Sequence, residues 1–143
     1  EHTAFQDVTG VSSIVDRAQG LGLVGVQTDG SDVMGVHEVV SQAVAKARSG
    51  DGPTLIEAMT YRYRGHHVGD AELYRTDEEV KWWMEKKDPI ELLANHMVKR
   101  RIAKRDQLAA LKEQIDHEVV EAIEYGRNSP LPPAEQAYED LYA

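Results

Sequence analysis

Two short β-branched runs separated by one long helical pattern constrain the fold of this chain more than any other feature. The runs LVGVQT (residues 23–28) and TLIEAM (residues 54–59) predict strands. Between them, Ser31-Asp32 marks a helix start, valines and alanines recur at helical spacing, and GDGP (residues 50–53) marks the end. A strand, a helix of about 17 residues and a second strand form a βαβ unit, whose strands are parallel and whose crossover is right-handed. We therefore predict an α/β fold.

The segments on either side of this unit are predicted to be irregular or helical. Residues 1–10 have no period and predict an irregular entry, and the pattern that follows predicts a helix capped by Ser12 or Ser13 and ending near Leu21. Downstream of the second strand, helical signals are a capping box at Thr76–Glu79, Asp88-Pro89, and an apolar stripe over residues 106–125, followed by a short acidic turn.

These patterns divide the chain into three parts of one domain. Residues 1–62 are the α/β part, residues 63–76 a candidate active-site loop, and residues 77–143 a helical region. Parallel strands normally carry helices on both faces of a larger sheet. Either the fold is small or further strands lie outside this chain, and we favour the second alternative.

Composition excludes several classes of function. The chain has 143 residues, with 25 Asp plus Glu against 16 Lys plus Arg, and an acidic chain of this kind is not expected to track nucleic-acid phosphates. It has no cysteine, which removes disulfides, thiolate metal sites and cysteine nucleophiles. No apolar run reaches the roughly 20 residues that cross a bilayer, so we expect no membrane partner.

The densest cluster of ionisable side chains follows the second predicted strand, in TYRYRGHHVGDAELYRT (residues 60–76). A polar loop at the carboxyl end of a parallel strand is where open α/β sheets bind ligands. Arg62 can grip a phosphate through two N–H groups, and one of His66 and His67 can act as an acid, a base or an anion donor. Neighbouring side chains diverge on an extended backbone, so the two histidines are not expected to face one ligand.

Two other interpretations of the loop stay open from the residues alone. A protein-only metal site is disfavoured, because the histidines and carboxylates of the loop lack a spacing that converges on one ion. A plain surface connection is the other interpretation, with solvated charges and with Tyr61 and Tyr63 packed against the sheet.

The run GPTLIEAMTYRYRGHHVGDAELYRT, followed by EVKWWMEKKDPI, closely resembles the alpha subunit of the thiamine-diphosphate-dependent 2-oxo acid dehydrogenases. This family comprises the decarboxylating components of the pyruvate, acetoin and branched-chain complexes. The resemblance implies that Arg62 contacts the cofactor's diphosphate, and that His66 contacts the diphosphate and assists acyl transfer to lipoamide. It also implies that Asp70, Tyr74 and Arg75 order the loop.

The resemblance implies a wider assembly as well. It predicts a parallel βαβ portion of a thiamine-diphosphate-binding fold, followed by a helical C-terminal region. The magnesium ligands of the family, a Gly-Asp-Gly run with a later Asn-Asn, are expected upstream of residue 1, so this chain corresponds to the C-terminal half of the subunit. Expected partners are a beta subunit in a heterotetramer and the lipoyl domain of the acyltransferase. The chain alone is expected to be inactive.

One departure from the family concerns regulation. Mitochondrial members carry a phosphorylated serine after the working histidine, and here that position is His67. This substitution suggests a bacterial-type, cytoplasmic enzyme without that switch.

Three alternatives stay open beside a pyruvate or acetoin enzyme. One is a branched-chain 2-oxo acid dehydrogenase. Another is a non-catalytic assembly module whose Trp82, Trp83 and C-terminal stripe dock a partner. The third, a phosphohydrolase built on the loop, lacks a convincing metal or nucleophile.

Overall fold

A computed structural model describes residue 3 and residues 5–139, and the chain divides into two compact units, Glu1–Arg100 and Arg101–Ala143. The elements of the first unit are α1 (Phe5–Val8), α2 (Asp16–Gly20), β1 (Val24–Asp29), α3 (Val33–Arg48), β2 (Thr54–Met59), α4 (Asp77–Lys86) and α5 (Pro89–Lys99). The described part of the second unit contains α6 (Arg105–Asn128) and a 3₁₀ turn (Ala134–Tyr138).

The two strands pair in parallel, with Val24 opposite Thr54 and Asp29 opposite Met59. Helix α3 connects them and contacts both, which confirms the predicted βαβ unit. The Asp32 carboxylate begins α3 by accepting the backbone N–H groups of Met34 and Gly35, as the helix-start signal predicts. This mixture of helices and a two-stranded parallel sheet is compatible with an α/β fold.

The entry to the sheet differs from the sequence prediction in two places. Phe5–Val8 forms a single helical turn, so the irregular entry predicted for residues 1–10 is wrong there. Helix α2 begins at Asp16 with Val15 as its N-cap and without a side-chain cap, so the predicted serine caps are also wrong. The two hydroxyls bind carboxylates instead, because that of Ser13 donates to Glu57 on β2 and that of Ser12 donates to Asp16.

The later helices begin where the sequence predicts. The Thr76 hydroxyl accepts the N–H of Glu79 at 3.2 Å and caps α4. The Asp88 carboxylate accepts the N–H of Ile90 at 2.9 Å, with proline at the first position of α5. Helix α6 extends the predicted 106–125 by one residue at its start and three at its end.

Few described side chains are withdrawn from solvent. Among residues 3, 5 and 7–139, the buried ones are Ala18, Ser31 and Ala94. Large apolar side chains stay half exposed on several elements, including Trp82 at 49% and Ile115 of α6 at 48%. No helix in the described part of the chain is long and apolar enough to span a bilayer.

Candidate functional site

The predicted loop leaves β2 at the carboxyl edge of the parallel pair. The N–H of Gly30, directly after β1, donates to the carbonyl of Met59 at 2.8 Å, so the two strands end together. Residues 60–76 then run from this edge to the start of α4. This is the edge at which parallel α/β sheets place ligand-binding loops.

Arg62 and His66 contact one another on the exposed side of this loop. Nη1 of Arg62 lies 3.0 Å from Nδ1 of His66. A guanidinium only donates hydrogen bonds, so a hydrogen bond between these atoms requires Nδ1 to accept, which is the role of Nδ1 in the tautomer with its proton on Nε2. In this pairing Nε2–H of His66 is a hydrogen-bond donor.

The Asp70 carboxylate accepts hydrogen bonds from both halves of the loop. Its Oδ2 accepts the backbone N–H of His66 and the hydroxyl of Tyr74, both at 2.9 Å, and its Oδ1 accepts the N–H of Glu72 at 2.9 Å. The hydrogen bond to Asp70 raises the pKa of Tyr74, because the neutral phenol is the donor. Asp70 therefore fixes the backbone that carries His66.

Arg75 ties the end of the loop to its beginning. The side chain is 7% exposed and donates to the backbone carbonyls of Arg62 and Tyr63, the latter at 3.1 Å. Nε and Nη2 also donate to one carboxylate oxygen of Glu72, at 2.9 and 2.6 Å. Glu72 adopts the left-handed region at φ 53°, which is unfavourable for a residue with a Cβ. Its hydrogen bonds to Asp70 and Arg75 hold it there.

The loop also needs glycine at position 65. A Cβ there would lie 2.9 Å from the Cβ of Asp70 and 2.9 Å from a carboxylate oxygen of Glu72. These distances are too short for unstrained packing, so the chain crosses itself at Gly65 only because that residue has no side chain.

The His67 ring meets the His66 ring edge-on. Its Nδ1 accepts the N–H of Gly69 at 3.0 Å, and its ring is nearly perpendicular to that of His66, with 6.2 Å between centroids. The described residues contain no group of three or more His, Cys, Asp or Glu side chains that could hold a metal ion.

All five residues predicted for the site belong to one network. Arg62 meets the His66 ring, Asp70 holds the His66 backbone and the Tyr74 hydroxyl, and Arg75 holds the Arg62 carbonyl. Their predicted roles in cofactor binding, acyl transfer and loop ordering stay predictions.

Sequence reasoning missed Glu57. Its carboxylate accepts the Ser13 hydroxyl, the N–H groups of Ile14 and Val15, and the Gln27 amide, with the last three at 3.1–3.2 Å. The Ser13 hydrogen bond is the largest reason why the pKa of Glu57 falls to about 2. The available signal was the one charged residue of β2, which lies opposite a glutamine in the parallel register.

Known proteins resemble the chain along nearly its whole length. Residues 2–135 match the family model described as "Dehydrogenase E1 component". The alpha subunit of acetoin:2,6-dichlorophenolindophenol oxidoreductase from Bacillus subtilis is 34% identical over 99% of this chain and 42% of its own length. A chloroplastic pyruvate dehydrogenase E1 alpha subunit from Oryza sativa subsp. japonica is 39% identical over 91% of this chain and 30% of its own length.

A pyruvate dehydrogenase E1 alpha subunit from Rhizobium meliloti is 30% identical over 97% of this chain and 40% of its own length. The chain thus spans well under half of the length of these curated relatives. The matches confirm the resemblance to E1 alpha subunits that the loop motifs indicate. The chain belongs to the dehydrogenase E1 component family.

Proposed function

We propose that this chain forms part of the alpha subunit of a thiamine-diphosphate-dependent 2-oxo acid dehydrogenase of the pyruvate or acetoin type. Its loop would bind the cofactor's diphosphate. One observation carries the proposal: the Arg62 guanidinium lies 3.0 Å from His66 on the exposed side of the loop. The names of the E1 alpha relatives support the choice of pyruvate or acetoin chemistry.

The chemistry of these two side chains fits a diphosphate. Arg62 keeps further N–H donors beyond the one directed to His66, and a guanidinium matches phosphate oxygens through paired donors. With Nδ1 of His66 accepting from Arg62, Nε2–H adds a second kind of donor. No cluster of side chains suited to a metal occurs among the described residues. The magnesium site is therefore proposed from the family resemblance alone, with its ligands supplied by another part of the subunit.

Thiamine diphosphate, when bound, supplies the electron sink that allows a 2-oxo acid to lose carbon dioxide. The work of this chain is placement and charge. Arg62 neutralises the diphosphate, and Asp70 and Arg75 hold the backbone on which Arg62 and His66 stand. Nε2 of His66 holds a proton for the sulfur of a lipoyl group during acyl transfer. A beta subunit and a lipoyl domain complete the proposed assembly.

The proposal is tested by the variant Arg62→Ala in the subunit assembled with its beta partner. We expect the dissociation constant of thiamine diphosphate, measured by calorimetry with magnesium present, to rise about 10- to 100-fold, since a hydrogen bond to a charged group contributes about 1.5–3 kcal/mol. The control is Arg48→Ala, which removes the same charge at the last residue of α3. An unchanged dissociation constant in Arg62→Ala refutes the diphosphate role.

The role of His66 is tested by separating two steps. His66→Ala should slow acylation of lipoamide more than decarboxylation, measured with an artificial electron acceptor. His66→Gln keeps an N–H donor near the position of Nε2 and should recover part of the loss. Equal losses in both steps would show that His66 acts on the cofactor alone.

A non-catalytic assembly module is the second candidate, and exposed apolar side chains favour it. Trp82 is 49% exposed, and Leu111 and Ile115 of α6 are 50% and 48% exposed. Absence of thiamine diphosphate binding both by this chain and by its assembly with a beta subunit would favour this alternative.

A further inference from the structure

The two neighbours of Arg62 in the loop, Tyr61 and Tyr63, contact helix α4 and the residue that follows it. The Tyr61 ring stacks on the Trp83 ring, with 5.1 Å between centroids and 6° between planes. The Tyr63 hydroxyl donates to the carbonyl of Lys87, directly after α4, at 3.4 Å. Tyr61 and Tyr63 are half-buried while Arg62 between them is exposed. The tyrosines therefore anchor this segment to α4 and to Lys87 directly after it, and Arg62 between them stays exposed.

A continuous chain of contacts links Trp83 to the backbone of Arg62. The guanidinium carbon of Arg75 lies 5.3 Å from the centroid of the Tyr61 ring that stacks on Trp83. The same guanidinium donates to the carbonyl of Arg62. A cation over an aromatic face and a stacked aromatic pair are each favourable, so fixing Tyr61 also fixes Arg75. We name Trp83, Tyr61 and Arg75 the aromatic anchor.

Trp82 provides a matched comparison within the same helix. Its ring meets Trp83 edge-on, with 5.3 Å between centroids and 86° between planes, and 49% of the residue is exposed. Trp82 thus touches the aromatic anchor from outside, whereas Trp83 stacks directly on the loop residue.

We propose that Trp83 is a positioning residue for Arg62. Through Tyr61 and Arg75, it holds the backbone carbonyl of Arg62 in place and so aims the guanidinium toward His66. Trp83 itself has no role in contacting a ligand. The consequence for cofactor binding rests on the proposed function, whereas the consequence for loop order does not.

The structural consequence is measured by amide hydrogen exchange of the chain. Trp83→Leu should speed exchange over residues 61–66 about threefold to tenfold, the range expected for losing an aromatic pair. Exchange in α3 should stay unchanged and reports that the fold is intact. Trp82→Leu should change exchange in residues 61–66 less than twofold. Trp83→Phe keeps a smaller aromatic face and should give a smaller acceleration than Trp83→Leu.

Two results would overturn the proposal. One is the absence of acceleration over residues 61–66 in Trp83→Leu, and the other is equal acceleration by Trp82→Leu. If Trp83→Leu also speeds exchange in α3, the result for Trp83→Phe decides. Faster exchange confined to residues 61–66 in Trp83→Phe supports the proposal, and unchanged exchange in these residues contradicts it.

The second arm uses the subunit assembled with its beta partner. Trp83→Leu should raise the concentration of thiamine diphosphate needed for half-maximal activity about threefold to tenfold, with kcat at saturating cofactor preserved, because Arg62 is present but poorly aimed. A fall in kcat without a change in this concentration would contradict positioning. If Arg62→Ala also leaves cofactor affinity unchanged, the proposed function fails. If Arg62→Ala weakens binding and Trp83→Leu does not, the positioning role alone fails.

Discussion

Asp70 in the loop and Asp116 in α6 are both aspartates near the protein surface, but they bind different kinds of partner. Asp70 accepts two backbone N–H groups and a tyrosine hydroxyl from residues 66–74. Asp116 pairs with the side chain of Lys112, one helical turn away and 75% exposed. The loop backbone depends on its carboxylate, whereas the helix backbone is already satisfied by its own hydrogen bonds.

The same contrast separates the two units more widely. In the first unit, Glu57 joins residues 13–15 to β2, and Arg75 joins the two ends of the loop. In α6, the ion pairs Lys112–Asp116 and Arg127–Glu124 join residues four and three positions apart. Such exposed pairs contribute about 0.3–0.5 kcal/mol each. One substitution should therefore disturb the loop far more than the helix.

The largest effect is expected from adding a methyl group where the loop crosses itself. In Gly65→Ala the new Cβ would lie 2.9 Å from Asp70 and from Glu72, so both must move. Overpacking of this kind costs about 1–3 kcal/mol. We expect trypsin to cleave after Arg62 and Arg64 at least fivefold faster, since cleavage needs a locally open backbone.

Gly69→Ala is the control within the same loop. Its Cβ would lie 3.5 Å from the His67 ring, an ordinary van der Waals distance. Trypsin cleavage should change little in this variant. Equal cleavage rates in the two variants would show that Asp70 does not organise the loop as the contacts indicate.

A smaller effect on the free energy of unfolding is expected from Glu57, and the size of this effect depends on pH. The pKa of Glu57 is lowered from 4.5 to about 2 in the folded chain, chiefly by the Ser13 hydroxyl. A depressed folded pKa stabilises the fold above the unfolded value, and this contribution is lost as pH falls from about 4.5 towards 2. Glu57→Gln should therefore lower the free energy of unfolding at neutral pH and flatten its decline in this acidic range.

Urea denaturation at several pH values measures both effects. Ser13→Ala removes the main partner of Glu57 and should weaken the acidic dependence in part. An acidic decline in Glu57→Gln as steep as in the unsubstituted chain would mean that other carboxylates govern it.

Local sequence signals predicted the helices and strands well, but they could not predict contacts between residues far apart in the sequence. Turn residues and periodicity located β2 and the starts of α4 and α5, because caps and strands depend on neighbouring residues. The serine caps of α2 failed because Ser13 binds Glu57, 44 residues away. Within the site, the motif indicated Arg62 and His66, but their contact with one another and the stacking of Tyr61 on Trp83 depend on how the loop folds.

The smallest effect is expected in helix α6, from the same glycine-to-alanine change as in the loop. Gly126 lies in the last turn of α6, and beyond the backbone of that helix a Cβ there would have no atom of the described residues within 4 Å. Alanine loses less backbone entropy than glycine on forming a helix, so Gly126→Ala should stabilise α6 by about 0.5–1 kcal/mol. Slower amide exchange over residues 122–128 would show it. If the added methyl group destabilises the loop at position 65 and stabilises α6 at position 126, packing governs the stability of the loop and backbone entropy governs that of the helix. If it destabilises both, contacts constrain α6 as tightly as they constrain the loop.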